Sequence, residues 1–151
     1  MIDIKELNEI CKRLDDRYHI NSGGCCYLAY LIAKHLDKLG IQYELKIFDS
    51  FFRDTRAINE EVRFKKCNNT SDSVVGPFSC NHYYIHIINI GDVNDAYDDF
   101  YDKQLFSITK IKATNIWWIY KLGNWNDYYN IKHNRYVSKI INKFFKKYET
   151  D

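Results

Sequence analysis

The sequence predicts a single α+β domain in which N-terminal helices and a C-terminal helix pack on an antiparallel sheet. Three observations carry that expectation. Residues 3–18 place Leu7, Ile10, Cys11, Leu14 and Tyr18 at the i, i+3, i+4, i+7 spacing of an amphipathic helix. The run HYYIHIINI, residues 82–90, is rich in β-branched and aromatic residues and has the length of a strand. Residues 135–148 return to helical spacing through Val137, Ile140, Ile141, Phe144 and Tyr148. Helices first, strands next and a helix last is the order of an α+β domain, not of alternating βαβ units.

The remaining elements follow from their boundaries. Asn21, Ser22, Gly23 and Gly24 break the first helix, and Asn21 or Ser22 is available to cap the next. That second helix is expected over about Cys25–Leu39, ended by Gly40, a residue suited to a left-handed C-cap. IQYELKIFD, residues 41–49, reads as a strand. Residues 52–80 are polar and read as an insertion within the one domain, residues 1–151. Gly91 and Asp92 read as a turn, with VNDAYDDFYD leaving it as a partner strand. QLFSITKIKATNIWWIYKL, residues 104–122, reads as one or two further strands.

Composition narrows the function. A chain of 151 residues with 17% aromatics and 13 tyrosines has the material for a real core. Its net charge is only +2, with the two signs interspersed, so no strong field for nucleic acid or a membrane surface is expected. Lys139, Lys143, Lys146 and Lys147 read as the wet face of the last helix, and Trp117, Trp118 and Trp125 as core. No apolar run is long enough to span a bilayer, and the charged N-terminus is unlike a signal peptide, so a cytoplasmic location is expected. The five cysteines are an odd number and two are adjacent, which suits free thiols in a reducing compartment better than a disulfide framework.

One of those thiols stands out. Cys25 opens the second helix, where unpaired backbone N–H groups and the positive end of the helix dipole favour a thiolate. Gly23 and Gly24 leave the approach to that backbone unobstructed, and the same N–H groups suit a developing oxyanion. Helical spacing continues from Cys25 to Ala29, Ile32, Leu36 and Leu39, an apolar stripe that must face the sheet. From Cys26 it continues to Tyr30, Ala33 and Asp37, a mixed and wetter face. Cys25 is therefore the candidate nucleophile and Cys26 a bystander. The competing reading is that Cys25 is only the first core residue of a buried helix, because free cysteine is commonly buried.

His82 and His86 share one face of their strand but stand about 13 Å apart along it, too far to bind one metal ion. Cys80 and His82 would make half a zinc site, but no matching pair exists elsewhere, so neither a metal nor another cofactor is expected. His82 opens its strand, where a sheet edge can meet a helix N-terminus, and is the favoured general base. His86 is mid-strand and suits a packed, hydrogen-bonded role. An acid should hold the imidazole in its working tautomer. Asn94, Asp95, Asp98 and Asp99 are available. Hairpin geometry brings Asp98 or Asp99 opposite His82, or Asp98 opposite His86.

Cysteine at a helix start, histidine on a strand and an Asp or Asn on the next strand resemble the papain-like thiol superfamily. That group includes NlpC/P60 amidases, transglutaminase-like proteins, arylamine N-acetyltransferases and small phage proteins. GGCCYLA resembles the G-x-C-x-x-x-A helix start of the small members, and NHYYIHI followed by VNDAYDD resembles their histidine strand, turn and aspartate. The resemblance covers about residues 21–99. It implies a papain-like fold with Cys25 as nucleophile, His82 as base, Asp95 as orienting acid and Asn21 lending its amide to an oxyanion hole. Residue 94 departs from the pattern, being Asn where an apolar residue is usual. The expected activity is hydrolysis or transfer of an acyl group through a thioester, on a peptide, amide or other acyl substrate. The alternative is an inactive papain-like binding protein, for example a phage inhibitor of a host protein.

Overall fold

A computed structural model describes residues 1–21, 24–49, 82–95, 104–122 and 131–149. Helix α1, Ile4–Tyr18, is capped by the Asp3 carboxylate, which accepts the Glu6 N–H at 3.1 Å. It ends on His19 in the left-handed region. Its stripe of Leu7, Ile10, Cys11 and Leu14 is buried, as the spacing predicts. Helix α2, Cys25–Leu39, ends on Gly40 at φ 71°, where its N–H reaches the carbonyls of Asp37 and Leu36. Any side chain there would be strained, so glycine ends the helix.

Four antiparallel strands follow: β1 (Tyr43–Asp49), β2 (His82–Ile87), β3 (Gly91–Val93) and β4 (Gln104–Ile108), in the order β3-β2-β1-β4. Leu45 and Ile47 of β1, Tyr83, Ile85 and Ile87 of β2, and Val93 of β3 alternate onto the inner face and are fully buried with α2. Removing that much apolar area from water is the main favourable contribution to folding. The other face carries a polar row in which Lys46 bonds Ser107 at 2.6 Å and Glu44 at 3.3 Å.

The structure corrects the expected hairpin. The turn falls at residues 88–90, with Asn89 at φ 65°, and Gly91 and Asp92 already belong to β3. His86 therefore faces Asp92 rather than Asp98, and its Nδ1 lies 2.7 Å from the Asp92 carboxylate. Residues 96–103 and the insertion at 52–80 lie outside the described residues.

A larger correction concerns residues 104–122. Only 104–108 form a strand, and Ala113–Leu122 is a helix, α3. Ala113, Ile116, Ile119 and Tyr120 are buried at helical spacing against α2. The β-branched and aromatic content of IWWIY suggests a strand, but packing on α2 decides the local structure. Two polar contacts fix the start of α3. Asn115 Oδ1 accepts the Lys112 N–H at 3.1 Å, and Asp37 Oδ2 accepts the Ala113 N–H at 2.8 Å. Asp37 also accepts the Tyr43 hydroxyl through Oδ1 at 2.8 Å, so one carboxylate ties α2, β1 and α3 together. Asp37→Ala is expected to cost about 2 kcal/mol, the worth of hydrogen bonds to a charged acceptor. Urea denaturation measures this, and a loss below about 0.5 kcal/mol would mean that water replaces both bonds.

The last helix, α4 (Ile131–Lys146), starts four residues earlier than the periodicity suggests. Val137, Ile141, Phe144 and Phe145 are buried against α1 and α2. His35 of α2 stacks on Phe145 with centroids 4.6 Å apart, and its ring nitrogens reach Glu149 and Asn142. Among the described residues no helix is long and apolar enough to cross a membrane.

Candidate active site

Cys25 is 7% exposed at the first position of α2. Ala29, Ile32 and Leu36 continue its stripe into the core against the sheet, as its helical phase predicts. Of the two residues expected to cap the helix, Ser22 lies outside the described residues. Gly24 is the N-cap, and Asn21 is engaged elsewhere. The first backbone N–H groups of the helix turn toward the sulfur. The N–H groups of Cys25, Cys26 and Tyr83 all stabilise the Cys25 thiolate. The Tyr83 N–H belongs to the peptide that follows His82, so the thiol lies against the backbone at the start of β2, whereas the His82 side chain leaves the strand on the face opposite to that of Tyr83.

Burial opposes that stabilisation and exceeds it. Desolvation, with a smaller contribution from the Asp15 carboxylate, pushes the Cys25 thiol up to about 11. At neutral pH the resting sulfur is a protonated thiol. A preformed thiolate is therefore not the resting state.

Cys26 requires a correction. It is 1% exposed, with its Sγ 3.9 Å from the Ile116 carbonyl, because α3 covers the side of α2 expected to be wet. Tyr27 and Tyr30 on that side meet Tyr120 and Trp117 with centroids 5.3 and 5.2 Å apart. Cys26 thus packs against α3, away from the sheet.

His82 is 0% exposed. Its Nε2 lies 2.7 Å from the main-chain carbonyl of Asn94. A carbonyl can only accept, so Nε2 carries the proton and Nδ1 holds the lone pair, the tautomer a general base requires. Burial lowers the basicity of the imidazole below its ordinary value. The Asn94 carbonyl and the charges of Asp95 and Asp15 act in the opposite direction. Tyr84 stacks beside the ring with centroids 5.9 Å apart.

Of the predicted acids, Asp95 is exposed and contributes through its charge, whereas the atom that hydrogen-bonds His82 belongs to its neighbour Asn94. Asp98 lies outside the described residues. Asn21 is in the site region, but its amide is exchanged with that of Asn94: Asn94 Nδ2 donates to Asn21 Oδ1 at 2.9 Å, and Asn21 Nδ2 donates back at 3.4 Å. That pairing uses its Oδ1 and one of its two amide N–H donors.

Sequence reasoning missed Asn8 and Asp15. They lie seven residues apart on α1, two turns along one face. Asn8 Oδ1 accepts the Asn94 N–H at 2.8 Å, and Asp15 Oδ1 accepts the Asn21 N–H at 3.0 Å. The only available signal was that pair of short polar residues on a common helix face. With Asn21, Asn94 and Asp95 they line an open cleft of about 640 Å³. Among the described residues no group of three His, Cys, Asp or Glu side chains is placed to hold a metal ion.

The site thus offers a thiol at a helix N-terminus with N–H donors around the sulfur, and a tautomerically set imidazole on the strand residue that precedes one of those donors, Tyr83. No family model matches this chain, and no curated protein or solved structure matches it either.

Proposed function

We propose that the protein is a cysteine hydrolase or acyltransferase of papain-like type, acting on an amide or ester through a thioester. The observation that supports this reading is the convergence of the Cys25 and Cys26 N–H groups of α2 and the Tyr83 N–H, next to His82 in β2, on the Cys25 thiol. Because the resting sulfur keeps its proton, the reaction begins with a neutral pair. As Sγ attacks the acyl carbon, the S–H proton passes to the imidazole and the carbonyl electrons move onto oxygen. The imidazolium then protonates the departing amine or alkoxide as the C–N or C–O bond breaks, leaving a thioester on Cys25. Water or an acceptor amine repeats the sequence in reverse and frees the thiol.

A second reading has its own support. The burial that pushes Cys25 to about 11 suits a scaffold whose thiol is structural and whose role is to bind another protein. Incubation with p-nitrophenyl acetate separates the two readings. The enzyme reading expects one acetyl group, mapped by mass spectrometry to the Cys25 peptide and lost on treatment with hydroxylamine. Acetylation confined to lysines, with Cys25 still open to iodoacetamide, would overturn it.

A further inference from the structure

We infer that Asn8 and Asn21 are positioning residues for His82, acting through the main-chain carbonyl of Asn94. This inference rests on His82 being the working base, but its geometry stands apart from that assignment.

Among the described residues strand β3 is the edge of the sheet, and it meets α1. Asn8 reaches from α1 and pairs with that edge as another strand would. Its Nδ2 donates to the Asp92 carbonyl at 2.9 Å, while its Oδ1 accepts the Asn94 N–H at 2.8 Å. One side-chain amide thus satisfies the last acceptor and the next donor of the edge. The chain turns there. Asn94 sits at φ 64°, a conformation that short amide side chains tolerate and most residues avoid. Asn21 holds the other side of the same residue through the exchanged amides, and its own N–H is anchored on Asp15.

Asn94 is therefore gripped by its main-chain N–H and by its side chain. Only its carbonyl remains to point inward, and that carbonyl meets His82 Nε2 at 2.7 Å. At 7% exposure Asn94 is shielded from water that would compete for the imidazole proton. A carboxylate orienting a histidine also adds a full negative charge beside the ring. A carbonyl sets the same tautomer with a dipole alone, which leaves the imidazole a weaker base and matches its partnership with a protonated thiol.

The test uses the whole chain and two independent readouts. The first is the downfield proton NMR signal of His82 Nε2–H, which reports the bond to Asn94 whether or not the protein is an enzyme. The second is the rate of Cys25 acetylation by p-nitrophenyl acetate. Asn8→Ala and Asn21→Ala should each weaken or abolish the ring-proton signal and slow acetylation about tenfold, the scale of a modest loss of alignment. Asn8→Asp keeps the acceptor for the Asn94 N–H but sets a carboxylate oxygen against the Asp92 carbonyl, so it should retain the signal in weakened form. It also controls for a general loss of structure if the alanine variant folds poorly. A ring proton and rate unchanged in both alanine variants, with His82→Gln still slowing acetylation, would overturn the positioning role and leave the base assignment standing. A ring proton lost in Asn8→Ala, with acetylation indifferent to that change and to His82→Gln, would uphold the positioning role and overturn the enzyme reading.

Discussion

Raising the pH from 8 to 11 is expected to remove about 5 kcal/mol of folding stability through two buried thiols. Burial pushes Cys11 from 9.0 up to about 12 and Cys25 from 9.0 up to about 11. Each is an acid that holds its proton more tightly in the folded chain than in the unfolded one. The stabilisation is complete below pH 9, where both states are protonated. It is lost as the pH climbs above 9, because the unfolded chain then ionises while the folded core resists. By pH 11 each thiol has forfeited roughly 2–3 kcal/mol, at about 1.4 kcal/mol for each pH unit. The buried phenols add to the loss, since burial also holds Tyr43 and Tyr84 above their ordinary range. Domains of this size have stabilities of about 5–15 kcal/mol, so the chain should approach unfolding near pH 11. Urea midpoints at pH 8 and pH 10.5 measure the effect. Cys11→Ala should cost about 1 kcal/mol at pH 8 yet remove about half of the alkaline loss. A midpoint independent of pH up to 10.5 would show that water reaches both sulfurs.

The same burial explains what the sequence does and does not reveal about the fold. Leu7, Ile10, Cys11 and Leu14 are legible because each helix or strand must turn one apolar face inward, and spacing records that face. The inner stripe of α2 and the strand from His82 are legible for the same reason. Ala113–Leu122 is not, because its residues favour a strand locally and only the neighbouring surface of α2 makes a helix the better way to bury them. That one misreading also explains why the side of α2 bearing Cys26 looks wet in sequence. Nothing in Tyr30, Ala33 and Asp37 announces that a helix from eighty residues downstream will cover them.

The candidate site divides in a similar way. Cys25 is legible because a thiol, a helix start and paired glycines are all side-chain signals. His82 is legible from its position at the opening of a strand. The group that orients it is not, because a main-chain carbonyl belongs to every residue and leaves no mark in composition. Its identity depends on a turn that begins three residues earlier than Gly91 and on Asn94 entering the left-handed region. Reading for a carboxylate leads to Asp95, one residue along, whose charge does act on His82.

The strongest effect expected on chemistry comes from the pair itself. Cys25→Ala should abolish thioester formation, while Cys26→Ala, which alters packing against Ile116, should keep it. His82→Gln should slow acetylation of Cys25 at pH 7.5 by about 100-fold, the lower range for loss of a general base. His86→Gln should change it less than about twofold, because His86 is paired with Asp92 on the polar row and its loss removes only a part-exposed contact with that carboxylate. The pH profile discriminates further. In the wild type the base works once the imidazole is neutral, and burial sets that transition below the ordinary 6.5. Acetylation should therefore rise with pH only at the acid end, level off through neutrality, and rise again in the alkaline range below the onset of unfolding, as the Cys25 thiolate fraction grows. Without His82 no base takes the thiol proton, and the rate should follow the thiolate alone, climbing about tenfold per pH unit across the whole range. Loss of the neutral plateau in His82→Gln and its persistence in His86→Gln is the expected pair of results. A plateau that survives His82→Gln would move the base elsewhere. A wild-type profile with no plateau would mean that the thiol and imidazole do not act together, which favours the binding-protein reading.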